Sequence, residues 1–295
     1  MTAKPLIVFA TCLKEPDIQE SDAMLQKGLE QRGAQIIAAP WNGDFAPFAK
    51  ADLVLIRSTW DYFDRFEDFF IWLDRLEAEN IRTENNVEIL RWNARKDYLF
   101  ELQDKGAALM PIVKVAANIE SIAEASRTRG WTKSVLKCLC SGGALGMSVI
   151  DPANPGEIEK ALIATEPYRS HGLMLQKFQP EITSAGEWSL VFFDGVFSHA
   201  VTKRPKPGDV RVQAVHGGIY ERTMPDTETL ARAKQVLSLA PGFASAPPAY
   251  ARVDGMILDG AFQLMELEMT EPELMFPYAP EAVAILADNL LAKIS

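Results

Sequence analysis

Three acidic side chains late in the chain, Asp254, Glu266 and Glu268, interrupt runs of otherwise apolar residues on either side of Asp259-Gly260. An Asp-Gly pair between two apolar runs is a strong signal for a β-hairpin. Carboxylates gathered on one hydrophobic hairpin repel one another and resist burial unless a cation neutralises them. Oxygen-only ligands of this kind suit Mg²⁺, so the segment predicts a hairpin that holds magnesium.

The length of the hairpin loop decides whether the three carboxylates can meet, because successive strand residues point to opposite faces. A two-residue loop would place Asp254 opposite residue 265, with its side chain facing away from both glutamates. A three-residue loop with Gly260 in the left-handed conformation would place all three carboxylates on one face. We therefore expect the odd loop length. The alternative is an ordinary hairpin with a solvated polar face, which the hairpin taken alone favours.

A glycine-rich loop, Ser141-Gly142-Gly143-Ala144-Leu145-Gly146, lies between a predicted strand from Ser134 to Cys140 and a strand-like segment from Met147 to Ile150. The Walker loop and the dinucleotide fingerprint both need a helix after their glycines, so this order excludes them. A glycine hairpin can instead fold over phosphates as a flap, because its backbone amides are unobstructed. The alternative is a simple flexible turn.

Two lysines fit the same interpretation. Lys137 lies at the centre of the apolar strand before the glycine loop, where an ammonium is costly to bury unless it meets an anion. Its alternative is an edge-strand lysine whose head reaches solvent. Lys96 lies in the first turn of a helix expected from about 94 to 105. A third basic segment is the long loop from Lys203 to Gly218, which carries Arg204, Lys206 and Arg211 in an acidic chain. It predicts an anion site, against the alternative of a solvated surface loop.

The N-terminal part alternates short apolar strands with amphipathic helices, which predicts an open, mostly parallel sheet. In such sheets ligands bind beyond the carboxyl ends of the strands. The segment from Arg57 to Tyr62 follows the third predicted strand there, and it offers groups for a small polar substrate. We expect Arg57 to clamp a carboxylate, Asp61 to hold an amine, and Trp60 and Tyr62 to wall the pocket, with Thr59 as a further substrate-binding residue. The alternative is a domain-contact loop with a buried Trp60.

Composition narrows the function classes. The chain has 295 residues, of which 48% are hydrophobic and 24% charged, and its formal net charge is −10. The charge argues against binding to nucleic acid or to an anionic membrane, and the apolar runs are too short for a signal peptide or a membrane span, so we expect a cytoplasmic protein. Three cysteines and three histidines give neither a disulfide framework nor a zinc site. No serine-hydrolase elbow is present.

Each of these features could bind one part of a nucleoside triphosphate with magnesium: the two separated lysines, the glycine flap, the basic loop and the three late carboxylates. Their order and spacing resemble the ATP-grasp superfamily, in particular the bacterial glutathione-synthetase-like ligases and the cycloserine-biosynthesis-type ligases that resemble O-ureido-serine cyclo-ligase. The resemblance covers most of residues 90 to 275. It implies an α/β protein with α+β lobes: a Rossmann-like N-terminal domain (1–90), a small ATP-grasp lid lobe (91–175) and a C-terminal ATP-grasp lobe with the magnesium site (176–295).

The resemblance also implies roles for particular residues. Lys96 and Lys137 would contact ATP phosphates, and the loop from Ser141 to Gly146 would close over them. The adenine and ribose would be read by a hinge strand and the residues after it: Gln176, Lys177, Phe178, Glu181 and Glu187. The magnesium ligands would be Asp254, Glu266 and Glu268, with Mn²⁺ as an alternative metal. The commoner family pattern has Asn in the last place, so Glu268 is a departure that adds charge.

The activity implied is transfer of the ATP γ-phosphoryl group to a small carboxylate, followed by attack of an amine on the acyl phosphate. Lys203, Arg204 and Arg211 are the candidates that would contact the transferred group. An intramolecular ring closure of an amino-acid-like substrate is the near alternative, and a non-catalytic ATP-binding protein or an interaction protein is the alternative of a different class. The expected partners are a small carboxylate and an amine; the sequence leaves a homodimer open.

Overall fold

A computed structural model describes residues 4–294 of the chain. Within that range the strands are β1 (Leu6–Thr11), β2 (Gln35–Pro40), β3 (Leu53–Ile56), β4 (Thr83–Glu84), β5 (Ile112–Val115), β6 (Ser134–Cys138), β7 (Ser148–Ile150), β8 (Leu173–Lys177), β9 (Glu187–Phe193), β10 (Val196–Arg204), β11 (Ile219–Thr223), β12 (Ala251–Leu258) and β13 (Ala261–Glu268). The helices are α1 (Glu20–Glu30), α2 (Phe66–Ala78), α3 (Val87–Asn93), α4 (Tyr98–Asp104), α5 (Ile119–Thr128), α6 (Pro155–Thr165), α7 (Thr227–Ser238) and α8 (Ala282–Ala292). None of these helices is long and apolar enough to cross a membrane.

The first sheet is parallel, in the order β2-β1-β3-β4. Strand β3 is buried along its whole length because its two faces pack into different cores. Leu53 and Leu55 face a core that includes α1 and α8, while Val54 and Ile56 face the core under α2. Burial on both faces is why the strand is apolar without alternation. The predicted open sheet is thereby confirmed.

The second sheet is antiparallel, in the order β5-β8-β6-β7. Strand β6 alternates: Leu136 and Cys138 enter the core beneath α5 and α6, while Val135 and Lys137 face a cavity. The predicted order of strand, glycine loop and strand is confirmed. The boundary expected after residue 175 falls inside β8, whose pairing with β5 and β6 extends to Lys177, so the second lobe continues at least that far.

The third sheet is antiparallel, in the order β11-β10-β9-β12-β13. Its last pair is the predicted hairpin, but the predicted three-residue loop is wrong. Leu258 pairs with Ala261, so the loop has two residues, and both Asp259 (φ 51°) and Gly260 (φ 76°) are left-handed. This is the backbone that two-residue hairpin loops favour, because its twist matches that of the strands.

A register shift further along the hairpin nevertheless brings the carboxylates together. Gly255 pairs with Leu264, and the next pair is Asp254 with Glu266, so Met265 is an extra residue on β13. Gly255 permits this bulge, since a Cβ there would lie 2.4 Å from the carbonyl oxygen of Gln263. The three carboxylates therefore share one face of the hairpin, as predicted, because of a bulge and not because of the loop.

Two further local predictions need correction. The helix expected from about 94 to 105 is replaced by α3 and α4, and Lys96 lies in the connection between them, where its backbone N–H donates to Leu139 (2.8 Å). The long loop expected from Lys203 to Gly218 begins later, because β10 continues to Arg204, but it ends as predicted, since β11 begins at Ile219.

The first and third sheets share one core and several buried hydrogen bonds. The Tyr250 hydroxyl donates to the carbonyl oxygens of Ile56 (2.9 Å) and Glu84 (2.8 Å). The amide nitrogen of Asn85 donates to the carbonyl oxygens of Tyr250 and Met269. These bonds place the end of β3 beside the segment that follows β13. Residues from 57 to 62 and residues of the β12-β13 hairpin can therefore reach one cavity.

Candidate active site

One cavity of about 600 Å³ has residues of the second and third sheets in its wall, together with residues of α1 and of the loop that follows β3 in the first sheet. Most of the residues selected from the sequence line it: Arg57, Trp60, Tyr62, Lys96, Lys137, Ser141, Gly142, Gly143, Gln176, Lys177, Phe178, Glu187, Lys203, Arg211, Asp254, Glu266 and Glu268. Five do not: Thr59, Asp61, Gly146, Glu181 and Arg204. The arrangement thus gathers groups that are up to 211 positions apart in sequence, from Arg57 to Glu268.

A buried arginine links two of the hairpin carboxylates. Arg252 Nη2 lies 2.9 Å from Asp254 Oδ2 and 2.6 Å from Glu268 Oε1. Burial alone would raise the pKa of Asp254, but Arg252, and then Lys203, outweigh it and the pKa is lowered. Burial raises the pKa of Glu268 to about 7 against the opposing effect of Arg252, and repulsion from Asp254 adds to the rise. The hairpin therefore carries more negative charge than one guanidinium neutralises.

The third hairpin carboxylate pairs with a lysine from the connection before α4. Lys96 Nζ lies 3.0 Å from Glu266 Oε1 and donates to the carbonyl oxygen of Ser141 (2.8 Å). Burial would lower the pKa of Lys96, but Glu266 more than compensates and the pKa is raised. Lys96 thus joins the hairpin to the glycine loop while remaining a cation.

Lys203 lies on the central part of the same sheet, 5% exposed. Its ammonium forms an ion pair with Glu187 and lies 3.8 Å from Asp254 Oδ1. Asp254 also accepts a hydrogen bond from the Ser189 hydroxyl. Burial opposes the charge on Lys203, but Asp254 and Glu187 raise its pKa.

These contacts test whether the hairpin fits a divalent metal. Among residues 4–294 no three side chains of Asp, Glu, His or Cys stand close enough to form a ready metal site. Each hairpin carboxylate holds an arginine or a lysine instead. The donors are nevertheless all carboxylate oxygens, and Glu266 and Glu268 keep 30% and 29% of their side chains exposed at the cavity. This chemistry fits Mg²⁺, provided that the cationic side chains move aside.

Lys137 lies in the cavity wall because strand alternation places it on the face of β6 that borders the cavity. It has no ion pair or hydrogen bond with any described residue. Burial lowers its pKa, because no carboxylate stands close enough to compensate fully. The glycine loop lines the same cavity and turns through Gly143 (φ 58°) and Ala144 (φ 64°). An unpaired ammonium in one cavity with a glycine-rich loop is an arrangement that suits an anion.

The other end of the cavity is apolar, with Phe178, Met110, Met256 and Met265 in its wall. Gln176 lines the cavity near this region, and its amide nitrogen is buried without a hydrogen-bond partner. A buried donor without a partner is costly, so a ligand that accepts a hydrogen bond there would relieve the cost. A flat apolar slot with one such donor suits a nucleobase.

The segment from Arg57 to Tyr62, which we call the substrate loop, differs from the expectation at two residues. Arg57 is 2% exposed, and its Nε and Nη2 are held by Asp22 (2.9 and 2.8 Å) while Nη2 also donates to the carbonyl oxygen of Pro272 (2.8 Å). No fork remains for two substrate oxygens; only Nη1 lacks a partner. Both carboxylate oxygens of Asp61 accept hydrogen bonds, from Trp41 and Asn42, so Asp61 anchors the loop instead of facing the cavity.

Other selected residues lie outside the cavity wall for simple reasons. Arg204 follows Lys203 on β10, so strand alternation turns it outward, 3.5 Å from Glu221. Gly146 packs against the second lobe, where a Cβ would lie 3.0 Å from Cys138 Sγ. Thr59 is fully buried, and Glu181 is exposed in the short turn after β8.

Comparison with known proteins adds a sequence and a structural match. Residues 7–85 match the family model described as "D-cycloserine synthetase DcsG, N-terminal domain". The cycloserine biosynthesis protein DcsG of Streptomyces lavendulae is 24% identical over 265 residues, which span 86% of this chain and 87% of that protein.

Two solved structures superpose over almost all of the chain. The crystal structure of D-cycloserine synthetase DcsG has a TM-score of 0.85 at 20% identity, covering 98% of this chain and 100% of that one. The ATP-grasp ligase PsnB, complexed with a variant of its minimal precursor, Mg and ADP, has a TM-score of 0.67 at 14% identity, covering 99% of both chains. The chain has the ATP-grasp fold. The resemblance drawn from the sequence is confirmed.

Several cavity residues of this ATP-grasp fold were not selected from the sequence, among them Arg252, Glu271 and Glu273. A signal for Arg252 was available, because an arginine inside a buried strand needs a buried anion and Asp254 is two residues away on the same face. Glu271 and Glu273 follow the hairpin in an irregular segment, where no periodicity indicates which side chains face inward.

Proposed function

We propose that the protein is an ATP- and magnesium-dependent ligase that activates a small carboxylate as an acyl phosphate and joins it to an amine. The observation that carries this proposal is the single cavity in which Lys96, Lys137 and the glycine loop face the carboxylates of β12 and β13. The shared fold with PsnB, whose structure contains Mg and ADP, supports the same ligand pair.

In this proposal ATP lies with its base in the apolar end, against Phe178 and the unpartnered amide of Gln176. Its phosphates extend toward Lys137, which lines the cavity without a carboxylate partner among the described residues and is less exposed than Lys177, the other such lysine. The loop from Ser141 to Gly143 covers them, and Lys96 ties that loop to the hairpin. Burial beneath a closed loop strengthens each of these electrostatic contacts.

Asp254, Glu266 and Glu268 would hold Mg²⁺, or Mn²⁺ in its place. The metal supplies positive charge that offsets the phosphate oxygens during transfer. Lys96 and Arg252, which now neutralise the same carboxylates, would be released toward the nucleotide.

The reaction that fits these groups has two steps. A substrate carboxylate oxygen attacks the γ-phosphorus, the bond to the bridging oxygen of ADP breaks, and an acyl phosphate forms. An amine then attacks the carbonyl carbon, phosphate leaves with its oxygen, and the amine proton passes to solvent. Arg252, Lys203 and Arg211 line the cavity and can offset the charge on the transferred group, whereas Arg204 faces away. The protein's contribution is electrostatic stabilisation and exclusion of water.

A second candidate is intramolecular ring closure, in which acid and amine belong to one substrate. The matches to D-cycloserine synthetase DcsG over the N-terminal domain and over the whole fold favour it. Product mass separates the two: ring closure yields the substrate minus one water, while ligation yields acid plus amine minus one water.

The test is a screen for ADP release over amino acids and small acids, with and without Mg²⁺, with hydroxylamine present to capture acyl phosphate as a hydroxamate. The proposal expects at least one acid to give ADP and hydroxamate only when the metal is present. ATP that binds with equal affinity with and without metal, and no ADP release for any acid in the screen, would contradict it.

A further inference from the structure

Glu271 is a cavity carboxylate without a cation. It lines the wall together with Glu268, but no described residue donates a hydrogen bond or an ion pair to it. The neighbouring carboxylates differ, because Glu266 pairs with Lys96 and Glu268 pairs with Arg252. A carboxylate left unneutralised in a largely desolvated position is destabilising on its own, so its presence calls for a positive group from outside the chain.

The backbone that carries Glu271 is held by two guanidinium groups. Arg57 Nη2 donates to the carbonyl oxygen of Pro272 (2.8 Å), and Arg252 Nη1 donates to that of Glu273 (3.0 Å). The ion pairs of these two arginines are with other carboxylates, Asp22 for Arg57, and Asp254 and Glu268 for Arg252. The segment is therefore fixed in place while the Glu271 side chain stays unpaired, which is the pattern of a preorganised binding group.

Glu271 lies between the substrate loop and the metal carboxylates. Tyr62 and Glu268 line the same cavity as Glu271, and burial, then the charge of Glu271, raises the pKa of Tyr62. Burial raises the pKa of Glu271 to about 8, and Glu268 adds repulsion from the other side. A group bound at Glu271 would thus stand next to the position proposed for phosphoryl transfer.

Two further groups on the same wall point to the kind of ligand. Trp60 is 43% exposed and lines the cavity, and an indole face attracts a cation. Arg57 Nη1, in a side chain that is 98% buried, has no hydrogen-bond partner and is left to donate to an oxygen. A ligand that fits all three groups carries both a positive centre and an oxygen acceptor.

We infer that Glu271 binds a protonated amine of the substrate and thereby selects acids that carry one, while Arg57 is a positioning residue that holds the Glu271 segment. This inference rests on the proposed ligase function. It moves the amine-binding role from Asp61, whose oxygens are both occupied, to a residue after the hairpin.

The test compares wild type with Glu271→Gln, which removes the charge and keeps the shape. ADP release is measured with D- and L-alanine, D- and L-serine and β-alanine, each beside the acid that lacks the amine, propionate or 3-hydroxypropionate. We expect wild type to prefer the amine-bearing acids. We expect Glu271→Gln to raise their KM by roughly 10 to 100-fold, the scale of a charged hydrogen bond, with the KM for ATP and the Mg²⁺ dependence within about threefold of wild type.

Two companions keep the result interpretable. Glu271→Asp retains the charge and should recover part of the lost KM, and Glu228→Gln, an exposed glutamate on α7 that pairs with Arg232, should change nothing. If Glu271→Gln leaves the preference for the amine unchanged, or instead weakens Mg²⁺ or ATP binding, the inference is overturned while the ligase function stands. If wild type releases ADP with no acid of either kind, the proposed function fails first.

Discussion

Replacing Glu266 by Gln is the sharpest perturbation of the hairpin, because it keeps the size of the side chain and removes one charge. In the structure Glu266 lies opposite Asp254 on β13 and pairs with Lys96 at 3.0 Å. The substitution therefore removes a proposed metal ligand and frees a lysine at the same time. We expect it to impair turnover far more than folding.

The expected loss of stability follows from the exposure of the ion pair, and the expected loss of kcat follows from the location of Glu266 in the site. The Lys96 and Glu266 side chains are 14% and 30% exposed, so their ion pair is partly screened and its loss should lower the free energy of unfolding by no more than about 1 kcal/mol. Loss of one strong transition-state contact in a closed site lowers kcat by roughly 10²- to 10³-fold, or about 2.7 to 4 kcal/mol. The catalytic effect should thus exceed the structural one severalfold.

The assay is steady-state ADP release at saturating ATP and acid, with Mg²⁺ titrated, beside urea unfolding of the same preparations. Glu228→Gln is the control, since it removes an exposed glutamate of the same lobe. Turnover of Glu266→Gln within threefold of wild type, at any Mg²⁺ concentration, would refute the assignment of the hairpin as the metal site.

Three other predictions concern separate parts of the molecule. Lys137→Ala should raise the KM for ATP by roughly tenfold or more without lowering the melting temperature, because the ammonium has no partner in the described chain and burial lowers its pKa; an unchanged KM would place Lys137 outside the phosphate site. Asp22→Asn leaves the buried Arg57 without its anion and should lower the free energy of unfolding by about 3 to 5 kcal/mol in urea, whereas Asp288→Asn, at an exposed pair, should have a far smaller effect; equal effects would mean that the Arg57 pair is not desolvated. The pKa of Glu271 is raised from 4.5 to about 8, so the folded state loses stability relative to the unfolded state as pH rises through that window. The melting temperature of Glu271→Gln should accordingly exceed that of wild type by an amount that grows from pH 5 to pH 8, and a constant or inverted difference in calorimetry would contradict the burial of an unpaired carboxylate.

The hairpin illustrates how far the sequence could predict the site. Strand periodicity and the Asp-Gly turn were sufficient to predict the hairpin. A shared metal site requires the carboxylates to lie on one face, and this requirement was sufficient to predict that Asp254 and Glu266 lie together. Strand register can be set by the length of the turn or by a bulge within a strand, and the prediction considered only the turn. An isolated glycine inside a strand, Gly255, was the available signal for a bulge.

The substrate side was less predictable for a physical reason. Whether Arg57 and Asp61 face the cavity depends on residues far away in sequence, Asp22 and Trp41, and on a loop that follows β13. Such contacts have no local sequence pattern. Residue type alone therefore predicted substrate-binding groups at Arg57 and Asp61, whereas both side chains make contacts within the protein. Lys137 was easier to predict, because a charge at the centre of an apolar strand is informative wherever the strand lies.

The central claim is that a substrate carboxylate oxygen attacks ATP, and isotope transfer tests it most directly. An acid that supports ADP release is prepared with ¹⁸O in its carboxylate and incubated with the enzyme, ATP and Mg²⁺, and the phosphate produced is analysed by mass spectrometry. The account predicts one ¹⁸O atom in each phosphate formed together with product. Phosphate without the label, formed at the same rate as ADP, would mean that water attacks the nucleotide and would contradict the proposed acyl phosphate.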